Sequence, residues 1–275
     1  MGLLNTLEKS MPSFQKTSTF FATIVIPVEL VVGIIVYKYI LGDPSHFVDN
    51  NPLNHPLSGD ILGMMYKGGD TVPVIITYFM VVLTFLIERI WTLKKARGNG
   101  NPAQFVARVK RLISAHDIDA AKKECDLQQG SIASVLRAGL DKFQELENRK
   151  ELDFDKKNLS LQKELEDAAD MELPMLEKNI IILSTIASLS TLTGLLGTVI
   201  GMVKAFAALA HSGAPDALGL ATGISEALMS TALGMITSML AIIFYSYVTT
   251  RIDHIMYHTA EAGQMIVRTF NSSVE

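Results

Sequence analysis

Long apolar stretches alternate with polar segments along this chain and divide it into membrane and water-soluble parts. Four stretches are each long enough for a helix that crosses the hydrocarbon core of a bilayer, which takes about 20 residues. They are residues 20–41, 72–93, 180–210 and 217–249. The first is longer than a signal-peptide core, and no small-residue cleavage site follows it, so we expect it to be retained. The pattern predicts an all-α membrane protein with four transmembrane helices.

The segments between these spans have different compositions. Residues 1–19 predict an amphipathic helix on the membrane surface, and residues 42–71, rich in Pro, Gly, Asn and Asp, predict an irregular loop. Residues 211–216 form a tight turn, and residues 250–275 form a tail.

Residues 94–179 have the apolar periodicity of helices throughout. The pattern predicts three short helices here, followed by one helix that begins near Phe154 and runs into the third span, with a kink near Pro174. Long helices are therefore expected to extend from the membrane into a separate helical region.

Basic residues are concentrated in that helical region, which sets the expected orientation. Of the 24 lysines and arginines, 16 lie between residues 94 and 178, whereas the loop 42–71 contains only Lys67 and the turn 211–216 contains none. Cytoplasmic segments are enriched in basic residues. We therefore expect both termini and the helical region in the cytoplasm, and both loops on the outer side.

Composition and motifs exclude several classes of function. The net charge is −4 and no basic block or aromatic ladder is present, so nucleic acid is not an expected partner. The single cysteine, Cys125, cannot form an intrachain disulfide and is expected to be a small buried side chain. No phosphate-binding loop, metal-ligand spacing or nucleophile motif occurs. We expect neither an enzyme nor a bound cofactor or metal.

Polar residues occur at membrane depth in the last two spans, where they are costly unless they face protein or water. Taken at 100° per residue, they form stripes on both helices. The stripes include Ser188, Thr191 and Thr198 in the third span, and Thr222, Glu226 and Ser230 in the fourth. They indicate either a hydrated ion path or hydroxyls that bond back to their own helix.

Glycines are placed on the same two spans where close helix packing would need them. They are Gly194, Gly197 and Gly201 in the third span, and Gly223 and Gly234 in the fourth.

Three of the charged residues within the spans need a specific account. Glu226 has few cations near it in sequence, which makes it either a candidate for proton exchange or a structural acid bonded to a neighbouring helix. Lys204 is expected to extend to the membrane interface. Glu29 lies near the middle of the first span, where it either pairs with another helix or faces a defect in the lipid.

The segments Thr193–Phe206 and Gly223–Gly234 together resemble the paired signature of the MotA/TolQ/ExbB proton-channel family, nearest to its ExbB members. The resemblance covers about residues 66–253. It implies a subunit of a pentameric ring, in the inner membrane of a Gram-negative bacterium, around an ExbD-like single-span partner. It also implies that the pore threonines fall on Thr198 and Thr231, and the membrane glutamate on Glu226.

Three features depart from the family pattern. Thr231 lies about 140° from Glu226 on an ideal helix, so the two do not share a face, and Glu226 faces either the lumen or a neighbouring subunit. Residues 189–192 stand where many relatives have Ala-Pro. The span 20–41 is additional to the usual three.

The resulting functional prediction is a subunit of a molecular motor that uses the proton motive force to energise TonB-dependent transport across the outer membrane. Its expected partners are an ExbD-like protein, a TonB-like protein, further copies of itself and the lipid bilayer. A TolQ-like role in envelope maintenance and a MotA-like stator are alternatives within the family. A non-conducting membrane scaffold is the alternative of another class. The sequence leaves open whether the ion is H⁺ or Na⁺.

Overall fold

The computed structural model of the protein describes residues 13–149, 153–210 and 216–274. Most of the predicted amphipathic segment and of the turn at 211–216 lies outside the described residues. Within the described part of the chain there are nine α-helices and no β-strand. They are α1 (Ser13–Ile35), α2 (Ile61–Tyr66), α3 (Val72–Ala96), α4 (Pro102–Ser114), α5 (Ile118–Gln128), α6 (Gly130–Asn148), α7 (Phe154–Glu177), α8 (Ile180–Leu209) and α9 (Ala217–Val274).

Four of the described helical segments are long and apolar enough to cross a membrane. These segments are Thr23–Leu41, Val72–Ala96, Phe154–Leu209 and Ala217–Ser272. Each overlaps one of the four predicted spans, and the last two are much longer than the spans. The prediction of an all-α membrane protein with four transmembrane helices is therefore confirmed.

The chain forms two compact units. The membrane unit comprises the described parts of residues 1–85 and 182–244, and the helical unit comprises those of residues 86–181 and 245–275. The helical unit has its own apolar core, in which Phe105, Leu136 and Leu140 are fully buried. Cys125 lies in this core, 3% exposed as predicted, and burial raises the pKa of its thiol to about 12.

Helix α9 does not end at residue 249, where the sequence analysis placed the start of a tail. It continues to Val274, because apolar residues recur at helical spacing beyond the membrane segment. Ile266 and Phe270 from this extension are buried in the core of the helical unit. The predicted tail is thus a structural part of that unit.

The predicted kink near Pro174 is displaced by about one turn. Pro174 lies inside α7, and the helix is interrupted instead at Lys178–Asn179. Asn179 has a φ of 62°, a left-handed conformation that asparagine tolerates better than most residues. Arg89, only 2% exposed, donates from Nη1 to the carbonyl oxygen of Leu176 at 3.2 Å, and so binds a carbonyl at the end of α7.

The loop 42–71 is more ordered than its composition predicts. It contains two 3₁₀ turns, at Pro44–His46 and Val48–Asn50, and the short helix α2. Asp60 caps α2: its Oδ1 accepts from the Gly63 backbone N–H at 2.9 Å, and its Oδ2 lies 2.7 Å from His46 Nδ1. These hydrogen bonds hold the pKa of Asp60 below its usual range, with the Gly63 amide as the larger cause.

Candidate functional site

Helices α8 and α9 pack backbone to backbone along their glycines. A Cβ added at Gly223 would lie 2.6 Å from Ala205 N and 2.7 Å from Gly201 O, and one added at Gly234 would lie 2.7 Å from Ser190 O. Such distances leave no room for a side chain. Ser190 also donates to Gly234 O at 3.0 Å, which adds a polar bond across the contact. The sequence analysis did not single out Ser190, because a lone serine within an apolar span gives no distinct signal.

The hydroxyls of Thr198 and Thr231 are hydrogen-bonded to each other across this helix pair. Thr231 Oγ1 also lies 3.0 Å from the carbonyl oxygen of Gly194, and Thr198 Oγ1 lies 3.3 Å from the same carbonyl. Both threonines are half-buried. The structure therefore brings together two of the three residues predicted for the ion path, in a polar cluster at the contact of α8 and α9.

Glu226 belongs to a second polar group. Its Oε1 lies 2.6 Å from Lys204 Nζ, and the Asp70 carboxylate lies 4.0 Å from the same ammonium. Glu226 is 8% exposed, and the backbone of Gly69 packs directly against its carboxylate. The expectation of few nearby cations was therefore wrong, and Lys204 bonds to Glu226 instead of extending alone to the interface. The hairpin register could have predicted this pair, since Lys204 and Glu226 stand at similar distances from the turn.

The register of the helix pair places the two groups at nearly the same level. Gly197 packs beside Ser230, and Gly201 packs beside Ala227, so Thr198 and Glu226 lie within about one helical turn of each other along the hairpin axis. However, Glu226 makes its described contacts with Lys204 and Gly69, and the threonines make theirs with each other. The three predicted path residues therefore belong to two separate groups: Thr198 and Thr231 form a threonine pair, and Glu226 forms an ion pair with Lys204.

The predicted secondary stripe divides in the structure. Ser188, Thr191 and Thr222 donate to carbonyls four residues earlier in their own helices, at 3.5, 3.4 and 2.9 Å. Ser230 Oγ also lies 2.9 Å from the carbonyl oxygen of Glu226, four residues earlier, but it is fully buried and lies 2.6 Å from Gly68 O, outside its own helix.

Thr71 was missed by the sequence analysis. It donates to Ser230 Oγ at 2.9 Å and, with Gly68, fixes the start of α3 against α9. Its position just before an apolar span gave no sign of this contact.

The chain resembles known proteins over this region. Residues 128–261 match the model of the MotA/TolQ/ExbB proton channel family. A biopolymer transport protein named ExbB-like 3, from Synechocystis sp., is 39% identical over 82 residues, which are 29% of this chain and 39% of that protein. ExbB of Pseudomonas putida is 24% identical over 204 residues, which are 74% of this chain and 61% of that protein. TolQ of Pseudomonas aeruginosa is 27% identical over 190 residues, which are 66% of this chain and 82% of that protein.

The matched segments span less than two thirds of the length of the first two relatives. The segment matched by the family model contains all of α8, the membrane part of α9 and the residues Thr198, Glu226 and Thr231. Helices α1 and α3 lie entirely outside that segment. The match to this family model over residues 128–261, together with the relatives named ExbB and TolQ, supports the MotA/TolQ/ExbB proton channel family for this chain.

Proposed function

We propose that the chain is an ExbB-like subunit of an inner-membrane proton-channel motor that works with an ExbD-like single-span partner to energise TonB-dependent transport. The observation that carries this proposal is the threonine pair, Thr198 and Thr231, held half-buried between two glycine-packed membrane helices. In this account both termini are cytoplasmic and the helical unit lies in the cytoplasm, as the distribution of lysine and arginine indicates.

The threonine pair provides hydroxyl groups along a proton path. A hydroxyl both donates and accepts, so a chain of hydroxyls and water can pass a proton without holding a net charge. Each hydroxyl has one proton, so one threonine donates to the other, which donates to the Gly194 carbonyl, and both hydroxyl oxygens keep a lone pair that can accept from a third group. The cluster therefore suits contact with a group that gains and loses a proton.

Glu226 is assigned a tuning role and not that of a proton carrier. Its carboxylate is already engaged in an ion pair, with Oε1 2.6 Å from the Lys204 ammonium. The carboxyl that cycles between charged and neutral forms is therefore assigned to the partner helix, as the family resemblance implies. Lys204 and Glu226 set the electrostatic potential near the threonine pair.

The outward faces of the hairpin suit a ring of identical subunits around such a partner. Val199, Val203 and Phe206 on α8, and Leu228 on α9, are each more than 60% exposed and apolar. Exposed apolar surface of this extent fits lipid, a second copy of the chain or a partner helix. We propose a homo-pentamer, following the family.

Deletion of the gene in its own host tests the proposed role against the two family alternatives. An ExbB-like subunit predicts loss of growth when an iron chelate is the only iron source. Sensitivity to detergents would instead favour the TolQ-like role, and loss of swimming the MotA-like role.

Complementation with single variants tests the site. Thr198→Ala and Thr231→Ala should fail to restore growth, whereas Thr191→Ala should restore it, because the Thr191 hydroxyl donates to a carbonyl of its own helix. Full restoration by all three variants would favour the non-conducting scaffold.

A further inference from the structure

The additional helix α1 is fixed to α3 by a seam of specific contacts. A Cβ added at Gly33 would lie 2.5 Å from Thr77 Oγ1, so the two backbones approach closely there. Tyr37, one turn further, donates from its hydroxyl to Tyr66 O at 3.0 Å, just before α3. One turn before Gly33, Glu29 meets Thr84. The seam is antiparallel and places Glu29 beside the midpoint of α3.

Glu29 is buried in this seam without a cation. It is 7% exposed, and its Oε1 accepts from Thr84 Oγ1 at 2.5 Å. Its Oε2 is fully buried and has no hydrogen-bond partner among the described residues. Its neighbours Val28 and Leu30 on α1 are apolar and exposed, so Glu29 alone of the three is turned into the seam.

No compensating charge faces Glu29 from the two helices of the seam within the described residues. Along the chain from α1 the nearest charged side chain is the exposed Lys38, nine residues from Glu29 and in the π-helical segment Val36–Leu41 that follows α1. On α3 the nearest is Glu88, four residues beyond Thr84, and it is already bonded to Arg89. An ionised carboxylate buried without a cation costs far more than a neutral carboxyl with one unsatisfied oxygen. The environment therefore favours the protonated form.

We propose that Glu29 is a proton-binding carboxyl of the membrane unit, separate from the hairpin and occupied by a proton at neutral pH. It differs from Glu226 in its partner, because Glu226 is paired with an ammonium whereas Glu29 has only a hydroxyl. The proton belongs to Glu29 itself, and Thr84 orients the carboxyl by donating to Oε1.

Infrared spectroscopy of the full chain in detergent, without any partner, tests this proposal. A protonated carboxylic acid has a carbonyl band that an ionised carboxylate lacks. The wild-type protein at neutral pH should show this band, and Glu29→Gln should lose it. Glu226→Gln should keep it, which makes it the matched control. Thr84→Val should move the band to higher frequency, because the carbonyl oxygen loses its hydrogen bond.

Labelling with a lipophilic carbodiimide, which reacts with protonated carboxyls in apolar surroundings, provides a second measurement on the wild type. The adduct is expected on the peptide that contains Glu29 and not on the one that contains Glu226. Absence of both the band and the Glu29 adduct in the folded wild-type chain would overturn the proposal, as would a band that Glu29→Gln leaves unchanged. Either result would leave the threonine path untouched, since neither measurement involves conduction.

Discussion

At the scale of single residues, the membrane unit accommodates its two buried carboxyls in different ways. Glu226 is paired with Lys204 at 2.6 Å, and Glu29 with the Thr84 hydroxyl at 2.5 Å. Burying a charge is tolerated when an opposite charge and good hydrogen bonds accompany it. The two residues therefore differ in how their carboxyls are compensated, by a charge for Glu226 and by a hydroxyl for Glu29.

Removing the cation beside Glu226 should destabilise the protein. Lys204→Met is expected to lower the free energy of unfolding by about 1–3 kcal/mol, less than for a fully buried pair because Lys204 is half-exposed. Denaturant unfolding of the purified protein in detergent measures this change. The double variant Lys204→Met/Glu226→Gln should recover most of the loss, because it leaves no uncompensated carboxylate. Equal stability of the single and double variants would show that the pair is not coupled.

The cap of α2 should be sensitive to acid. The Asp60 carboxylate accepts hydrogen bonds that lower its pKa, so it stabilises the loop above the ordinary aspartate pKa of about 3.9. That contribution should disappear as the pH falls through the lower pKa of the folded state. Hydrogen exchange at the Gly63 amide measures it, and protection should fall in acid in the wild type. In Asp60→Ala it should be low at every pH, and a protected Gly63 amide in that variant would contradict the role of the cap.

At the scale of elements, the hairpin depends on the absence of side chains at the contact of α8 and α9. Gly223→Ala is expected to cost about 1–3 kcal/mol, because its Cβ would overlap backbone atoms of α8 that cannot rotate away. Gly263→Ala, in the same helix α9, is the matched control.

At Gly263 the nearest atom to an added Cβ is 3.7 Å away, in Leu165. That substitution should be neutral, or stabilise the helix by about 0.5–1 kcal/mol. Thermal unfolding of both variants measures the difference. A loss at Gly263 equal to that at Gly223 would show that packing space is not the cause.

Helical periodicity and length were sufficient to predict the four spans and the helices of the helical unit. They did not predict α2 or the residues at which the helices end. Apolar runs predicted the four spans because a membrane helix needs about 20 such residues whatever it packs against. The break at Asn179 could not be predicted, because it depends on one left-handed residue and on Arg89, which is distant in sequence. The caps of the loop 42–71 were missed for a similar reason, since His46 and Asp60 meet only after folding.

The threonine pair of the candidate site was predictable, because each arm of the hairpin carries one of the two family motifs. The paired signature singled out Thr198 and Thr231, and the structure brings their hydroxyls into contact. The ion pair of Glu226 with Lys204 was missed, because each arm was considered separately and its charges were counted along the sequence. The distances of Lys204 and Glu226 from the turn indicate a similar depth for the two side chains. The apolar patterns of α8 and α9 do not specify which faces of the two helices meet.

At the scale of the whole molecule, the chain combines a membrane unit with a separate helical unit, and α3, α8 and α9 each contribute residues to both. The family match covers the hairpin and part of the helical unit but not α1. We therefore expect the proton path to depend on the hairpin and its partner, and the proton of Glu29 to be independent of both.

The most direct test of this account is proton flux into liposomes that contain the chain with the single-span partner encoded beside it. Thr198→Val and Thr231→Val should each reduce the flux about tenfold or more, equivalent to about 1.4 kcal/mol on the barrier. Thr191→Val should conduct like the wild type, because the Thr191 hydroxyl donates to the Ala187 carbonyl of its own helix. Wild-type flux in both Thr198→Val and Thr231→Val would contradict the proposed path.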